Sequence, residues 1–153
     1  MNVVYTGRHS APSSVEDELG ARFLALEDLL READVVSLHC PLTQETRHLI
    51  NADRLQLMKT SSYLVNTTRG AVVDESALVA ALQTGGIAGV GLDVYEHEPH
   101  LHPDLFDLEN VVLLPHLGSA TIETRTAMGL LAAENVSAVL AGGTPPTQVS
   151  WPL

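Results

Sequence analysis

The chain has one cysteine, few aromatic residues and few basic residues, and these shortages exclude several classes of protein. The single cysteine, Cys40, cannot form an internal disulfide, which fits a reducing compartment. Eight Lys and Arg residues against 19 Asp and Glu residues give a net charge of −11, which disfavours nucleic acid and anionic membranes as partners. No apolar run has the length of a membrane span, and the N-terminus has no signal-peptide pattern. We therefore expect a cytoplasmic protein that binds neither nucleic acid nor membrane.

The Gly-rich loop that usually binds dinucleotide phosphates is also missing from the sequence. The nearest match, Gly89-Val90-Gly91, lies inside an apolar run and has no third glycine at the required place. The chain opens directly in a strand-like segment, Val3-Val4-Tyr5. A dinucleotide-binding fold would place a strand, the loop and a helix before that point. A domain of that type would lack its first strand and its Gly-rich turn here.

Strand-like and helix-like segments alternate along the 153 residues, which is typical of a parallel sheet covered by helices. The strands are apolar throughout, as expected when both faces of a sheet are buried. The predicted strands cover residues 3–5, 22–24, 35–39, 63–66, 87–94 and 111–114. The sequence therefore predicts an α/β protein with a doubly wound, Rossmann-like parallel sheet.

Side chains that can cap helices mark where the longer helices begin. Asn51, Asp74 and Thr121 each precede a helix-like segment and suit the N-cap position. The predicted helices cover residues 26–33, 51–58, 75–83 and 122–140. The last helix is apolar on more than one face, which predicts burial on several sides. We divide the chain into an incomplete dinucleotide-binding domain, 1–121, and a C-terminal helix and tail, 122–153.

An Arg, a Glu and a His each follow a predicted strand and form a candidate active site. The carboxyl ends of parallel strands meet at the edge where open α/β sheets bind ligands. The fork of Arg69 suits a carboxylate, and His116 can transfer a proton near neutral pH. A carboxylate such as Glu98 favours the protonated form of a neighbouring imidazole. Each residue alone also fits a structural or surface role, but together they suit redox chemistry on a 2-keto or 2-hydroxy acid.

Histidines are concentrated in the segment His97-Glu98-Pro99-His100-Leu101-His102. Imidazole and carboxylate are ligands that zinc accepts. The spacing matches no helical pair or finger pattern, and prolines stiffen the loop, so we expect no metal site. Nothing in the sequence marks Cys40 as a nucleophile.

Arg8 follows the first strand, where dinucleotide-binding folds usually carry an acidic residue that binds the ribose hydroxyls. An Arg at that position attracts a 2′-phosphate, whereas an Asp repels it. The segment Gly7-Arg8-His9-Ser10 therefore favours NADP(H) over NAD(H). An ordinary surface turn is the alternative interpretation.

Four segments resemble the nucleotide-binding domain of the D-isomer-specific 2-hydroxyacid dehydrogenases, and the glyoxylate/hydroxypyruvate reductase branch is the most similar. The segments are Val4-Tyr5-Thr6-Gly7-Arg8, Asn66-Thr67-Thr68-Arg69-Gly70, Gly91-Leu92-Asp93-Val94-Tyr95-Glu96-His97-Glu98-Pro99 and Leu114-Pro115-His116-Leu117-Gly118-Ser119-Ala120-Thr121. The resemblance covers nearly the whole chain. It implies reduction of a small 2-keto acid, with hydride from the nicotinamide and a homodimer in the full-length form.

The resemblance also implies a role for each matching residue. Arg69 would bind the substrate carboxylate, His116 would donate the proton, and Glu98 would be the partner of His116. The expected cofactor-binding residues are Arg8, His9 and Ser10 at the 2′-phosphate, Pro41 on the adenosine side, Thr67 and Asp93 near the ribose and nicotinamide, and Gly118. Ser119 would join Arg69 and His116 in contacting the substrate.

The sequence also departs from the family pattern. Relatives begin with a substrate-binding domain and a Gly-rich turn, which precede the part matched here, and a second Arg found in some of them is Ala11. The resemblance also implies that segment 122–153 packs in part on that domain in relatives, so its apolar face would lack this partner here. We therefore expect weak pyrophosphate binding and little or no activity from this chain alone. A non-catalytic dinucleotide-binding or dimerisation module of the corepressor type is the alternative function.

Overall fold

A computed structural model describes residues 1–149, and the chain divides into two compact units. The first unit is Met1–Pro115, and the second unit begins at His116. Residues 150–153, which end the predicted C-terminal segment 122–153, lie outside the described residues.

The first unit contains two parallel sheets. One pairs β1 with β2, and the other has the order β3-β4-β5-β6. The strands are β1 (Val3–Tyr5), β2 (Ala21–Phe23), β3 (Val35–Leu38), β4 (Tyr63–Asn66), β5 (Gly89–Leu92) and β6 (Val111–Leu113). The prediction of a parallel α/β fold of Rossmann type is thereby confirmed. Within residues 1–149 the β1–β2 pair forms a sheet separate from the other four strands.

Five α-helices and two short 3₁₀ helices connect and follow the strands in residues 1–149. The helices are α1 (Ser13–Leu19), α2 (Leu26–Glu32), α3 (Ala52–Leu55), α4 (Glu75–Gln83) and α5 (Ile122–Leu140), with 3₁₀ turns at Gly70–Val72 and Pro103–Asp107. The three predicted N-caps are confirmed, because Asn51, Asp74 and Thr121 each accept a backbone N–H three residues further on. These caps satisfy backbone donors that have no partner inside the helix.

Several strand and helix boundaries differ from the predictions, and for β5 and α3 the physical reason is visible in the structure. β5 is shorter than the predicted 87–94, although Ile87 and Val94 are both buried, because burial of an apolar side chain does not require ladder pairing. α3 ends before Met58, because Leu57 and Met58 donate to carbonyls only three residues back. Strands β3 and β6 and helix α2 each end one residue earlier than predicted, and β2 both begins and ends one residue earlier.

One face of the sheet of β3 to β6 is uncovered along its first two strands. Helices α2 and α3 contact each other, as do α3 and α4. Side chains along β3 and β4 alternate, so that Val36 and Leu64 are buried while Val35 and Tyr63 are exposed by 60% and 52%. The prediction that both faces of the sheet are buried is therefore wrong for this chain.

The second unit is built around α5, which spans 19 residues. None of its residues is buried, and Ile122 and Leu140 are each more than four-fifths exposed. The apolar faces of this helix are therefore left uncovered within residues 1–149. After α5, Thr147 returns to the helix and donates from its backbone N–H to Asn135 Oδ1 at 3.1 Å. Among the residues described, no helix combines the length and apolarity that crossing a membrane requires.

Candidate functional site

Asn66, the last residue of β4, shapes the loop that carries Arg69. Its side chain is fully buried, and its Oδ1 accepts from the N–H and the hydroxyl of Thr68 at 3.1 and 2.9 Å. Its Nδ2 donates to the carbonyl oxygen of Arg69 at 3.0 Å. These bonds form a side-chain-stabilised turn that fixes the Arg69 backbone. The Arg69 side chain is exposed, and its Nη1 donates to the Thr68 carbonyl at 2.6 Å.

The loop after β4 lies directly against the chain that follows β5. A Cβ placed on Gly70 would lie 1.8 Å from the carbonyl carbon of Tyr95 and 2.3 Å from the backbone nitrogen of Glu96. Only glycine allows two backbones to approach this closely. The contact brings the loop that carries Arg69 beside the loop that carries Glu98.

The segment after β5 holds the carboxylate of Glu98 close to its own backbone. Glu98 is exposed, and its Oε1 accepts from the Tyr95 N–H at 3.0 Å. Asp93, one residue beyond β5, is 5% exposed. Arg69 and Glu98 therefore both lie at the carboxyl edge of the sheet, after neighbouring parallel strands.

Tyr95 connects the ends of β5 and β6. Its hydroxyl is 2.7 Å from the carbonyl oxygen of Leu114 and 3.3 Å from that of Leu92, so it donates mainly to Leu114. Burial raises the pKa of the Tyr95 phenol, and the negative charges of Asp93 and Glu75 add to the effect. The bond fixes the chain two residues before His116.

Tyr95→Phe should lower the free energy of unfolding by about 1 kcal/mol, because the Leu114 carbonyl loses its donor. Since the raised pKa favours the protonated phenol in the folded state, this stabilisation is present below pH 10.0 and is lost as the pH rises through the raised pKa. Urea unfolding across this pH range measures both effects. The exposed Tyr63→Phe is the control, and equal stability of the two variants at neutral pH would contradict the role of the bond.

His116 is the first residue of the second unit and has an unusual backbone conformation. Its φ is +56°, in the left-handed region that residues other than glycine rarely adopt. Such conformations are concentrated at functional sites. The imidazole is exposed, Gly118 is exposed and Ser119 is half-buried. A turn closed by the Ala120 N–H and the Leu117 carbonyl at 2.9 Å leads from His116 into α5.

The predicted cofactor residues of the first unit lie in the loops after β1, β3, β4 and β5. Arg8, His9 and Ser10 are exposed, as are Pro41 and Thr67. The Tyr5 hydroxyl orders the first loop, because it accepts from the Ala11 N–H at 2.5 Å and donates to Glu16 Oε1 at 2.6 Å.

The loop after β3 is closed by its own hydrogen bonds and carries a carboxylate that interacts with Arg8. Thr46 Oγ1 donates to the Pro41 carbonyl at 2.6 Å, and Thr43 Oγ1 donates to Glu45 Oε2 at 2.6 Å. The Thr43 bond is the main cause that lowers the pKa of Glu45, and the positive charge of Arg8 contributes. Arg8 therefore lies close enough to this loop for its positive charge to attract the Glu45 carboxylate.

No group of three or more His, Cys, Asp or Glu residues within positions 1–149 has an arrangement that could hold a metal ion. Cys40 is half-buried, and this burial raises the pKa of its thiol. A thiol of that kind is a poor nucleophile at neutral pH.

Iodoacetamide should modify Cys40 about tenfold more slowly in the folded chain than in urea at about pH 8, because the raised pKa reduces the thiolate fraction and burial limits access. Mass spectrometry over a time course measures the rate. Equal rates in the two states would show that the thiol is reactive after all.

Sequence reasoning missed Asn66, Gly70, Tyr95 and Glu75 as residues that shape this site. Asn66 and Gly70 are the first and last residues of the segment that carries Arg69. The sequence signal available for Asn66 was a polar residue at the end of an apolar strand. The contacts of Gly70, Tyr95 and Glu75 join segments far apart in sequence, so no local pattern indicates them.

The chain is similar to known proteins in both sequence and fold. Residues 1–118 match the sequence model of the D-isomer specific 2-hydroxyacid dehydrogenase, NAD binding domain. A glyoxylate reductase of Thermococcus onnurineus is 53% identical over 150 residues, which are 98% of this chain and 45% of that protein. The chain thus spans about half the length of the curated relatives it matches.

Two solved structures are similar to the chain over nearly its whole length. The TT0316 protein of Thermus thermophilus is 51% identical, with a TM-score of 0.87 over 98% of this chain and 46% of that one. An NADPH-dependent glyoxylate/hydroxypyruvate reductase of Sinorhizobium meliloti, solved with NADP and malonate, is 37% identical, with a TM-score of 0.85 over 97% and 46%.

Proposed function

This chain belongs to the D-isomer-specific 2-hydroxyacid dehydrogenases, through their NAD-binding domain, and on that basis we propose that it carries the cofactor site and catalytic residues of an NADPH-dependent reductase of small 2-keto acids. Glyoxylate and hydroxypyruvate are the proposed substrates, from the names of its relatives. The observation that carries the proposal is the backbone contact at Gly70, which sets the Arg69 loop against the Glu98 loop at the carboxyl edge of the sheet. The names of the relatives favour this function over an interaction module of the corepressor type.

Three side chains perform the chemistry in this proposal. Arg69 binds the substrate carboxylate through its guanidinium and polarises the C2 carbonyl. NADPH, when bound, supplies the hydride to C2. His116 donates a proton to the carbonyl oxygen, so the keto acid becomes a 2-hydroxy acid, and Glu98 stabilises the protonated form of the imidazole.

The exposed loops fit the proposed cofactor. Arg8 with His9 and Ser10 would hold the 2′-phosphate, and Pro41 would line the adenosine side. Thr67, Asp93 and Gly118 would contact the ribose and nicotinamide, and Ser119 the substrate.

Activity is tested in a chimera in which this chain replaces the matching segment of the Thermococcus onnurineus reductase. At 53% identity over 98% of this chain, the exchanged segment should pack as the original does. The chimera should oxidise NADPH when glyoxylate is added, and the His116→Asn chimera should be about 100-fold slower, since a general acid typically contributes at least that factor. A folded chimera that oxidises no NADPH would refute the proposed function.

Arg8→Asp should shift cofactor preference toward NADH by about tenfold or more, because a carboxylate repels the 2′-phosphate and accepts the ribose hydroxyls (about 1.4 kcal/mol per factor of ten). The ratio of kcat/KM for NADPH to that for NADH in the chimera measures the shift. Arg31→Asp on α2 makes the same charge change away from the loop and should leave the ratio unchanged. An unchanged ratio for Arg8→Asp would show that Arg8 does not bind the 2′-phosphate.

We further propose that the protein acts as a cytoplasmic homodimer in its full-length form, and that segment 122–153 packs in part on a substrate-binding domain. The unburied apolar side chains of α5 support such a partner. The net charge of −11 supports the absence of nucleic-acid and membrane partners.

A further inference from the structure

One buried carboxylate holds both ends of the loop that carries Glu98. Glu75 is the first residue of α4 and is only 9% exposed. Its Oε2 accepts from the Glu96 N–H at 2.9 Å, and its Oε1 accepts from the His102 N–H at 2.6 Å. The segment between those two amides, 97–101, contains Glu98.

The loop itself is a tight turn closed by its own backbone. The His100 N–H donates to the His97 carbonyl at 2.9 Å, and the two residues form an antiparallel bridge. The hydrogen bond within the turn does not by itself fix the position of the loop at the edge of the sheet. The two bonds to Glu75 supply that anchor, because they tie both of its ends to α4.

The residue at the first end of the loop is held by a second set of contacts. Glu96 Oε1 accepts from Arg47 Nη2 at 2.9 Å and lies 2.7 Å from His48 Nε2. Gly70 also packs against the peptide that joins Tyr95 to Glu96, whose N–H donates to Glu75. At the other end of the loop, the His102 N–H is held by its hydrogen bond to Glu75 Oε1.

We propose that Glu75 is a positioning residue that fixes Glu98 for catalysis by binding both ends of the 97–101 loop. The proposal rests on the function proposed above, in which Glu98 supports His116. A buried acceptor of two amide bonds leaves both donors unpaired when it is removed, so the loop leaves its anchored position. Misplacing a catalytic group by about 1 Å can lower the rate about 100-fold.

Hydrogen exchange of the full chain tests the anchor without any need for activity. In Glu75→Gln the amide nitrogen of the new side chain replaces one acceptor, so the backbone amides of segment 96–102 should exchange about tenfold faster or more. Glu75→Ala should give a larger effect. Glu27→Gln, which weakens the bonds from Arg54 on another part of the unit, is the matched control and should leave this segment unchanged.

The catalytic consequence is measured in the chimera. Glu75→Gln should lower kcat for glyoxylate at least about tenfold with an unchanged KM, because Arg69 still binds the carboxylate. Unchanged exchange of segment 96–102 in both Glu75 variants would overturn the anchor, and faster exchange with an unchanged kcat would overturn the positioning role. An inactive unmodified chimera would refute the proposed function alone, because the exchange result still decides whether Glu75 anchors the loop.

Discussion

Gly70→Ala should lower the free energy of unfolding by about 4 kcal/mol or more, which is exceptional for one methyl group. The added Cβ would lie 1.8 Å from the carbonyl carbon and 2.0 Å from the carbonyl oxygen of Tyr95, and 2.3 Å from the Glu96 nitrogen. All three are backbone atoms, so no side chain can rotate to make room. The two loops must separate, and the turn that Asn66 builds is lost with them. Urea unfolding followed by circular dichroism measures the loss.

Gly129→Ala on α5 is the matched control. A Cβ at Gly129 meets nothing within 4 Å, and alanine favours a helix over glycine by about 1 kcal/mol. The same chemical change should therefore leave the chain as stable as the original or more stable. A Gly70→Ala chain as stable as the Gly129→Ala chain would show that the two loops do not touch.

Arg69→Ala should lower kcat/KM for glyoxylate in the chimera by about 100-fold or more, because charge-assisted hydrogen bonds to the substrate carboxylate contribute about 1.5–3 kcal/mol each. The side chain is exposed and donates to the Thr68 carbonyl of its own loop, so the fold should not change. In the proposed mechanism the guanidinium both binds the substrate and polarises its carbonyl, so kcat should fall and KM should rise.

Two variants separate this role from a general effect of charge. Arg69→Lys keeps the charge but loses the planar fork, and should recover only part of the activity. Arg31→Ala removes an exposed Arg whose partner is Asp28 on the same helix, and should keep full activity. Full activity of Arg69→Ala would remove Arg69 from the mechanism.

Local sequence patterns predict the elements of this fold that local interactions determine. The cap at Asp74 and the whole of α4 follow from one carboxylate and an apolar periodicity, and the full span of α5 follows in the same way. α1 gave no such signal, because it buries no side chain and begins after Pro12 without a side-chain cap. The exposure of one face of β3 and β4 also escaped prediction, because strand composition does not reveal which helices are present to cover it.

The residues of the candidate site were also predictable only where the signal is local in sequence. Arg69, Glu98 and His116 stand out in the sequence because each follows an apolar strand-like run and suits a defined chemical role. The contacts that hold these loops are long-range, since Gly70 meets Tyr95 and Glu75 meets His102 across more than twenty residues. A Glu in the first turn of a helix is also ordinary, because the helix dipole favours it there. The role of Glu75 therefore becomes visible only when the loops are folded.

The proposed mechanism requires that Arg69 hold one 2-keto acid and that His116 protonate it with Glu98 as the partner of His116. The most direct test is a crystal structure of the chimera with NADP and an unreactive 2-keto-acid analogue. We predict that the Arg69 guanidinium and the analogue carboxylate, the His116 imidazole and the C2 oxygen, and the Glu98 carboxylate and that imidazole each lie about 3 Å apart. An analogue bound away from Arg69, or these three side chains on different faces of the protein, would contradict the proposed mechanism.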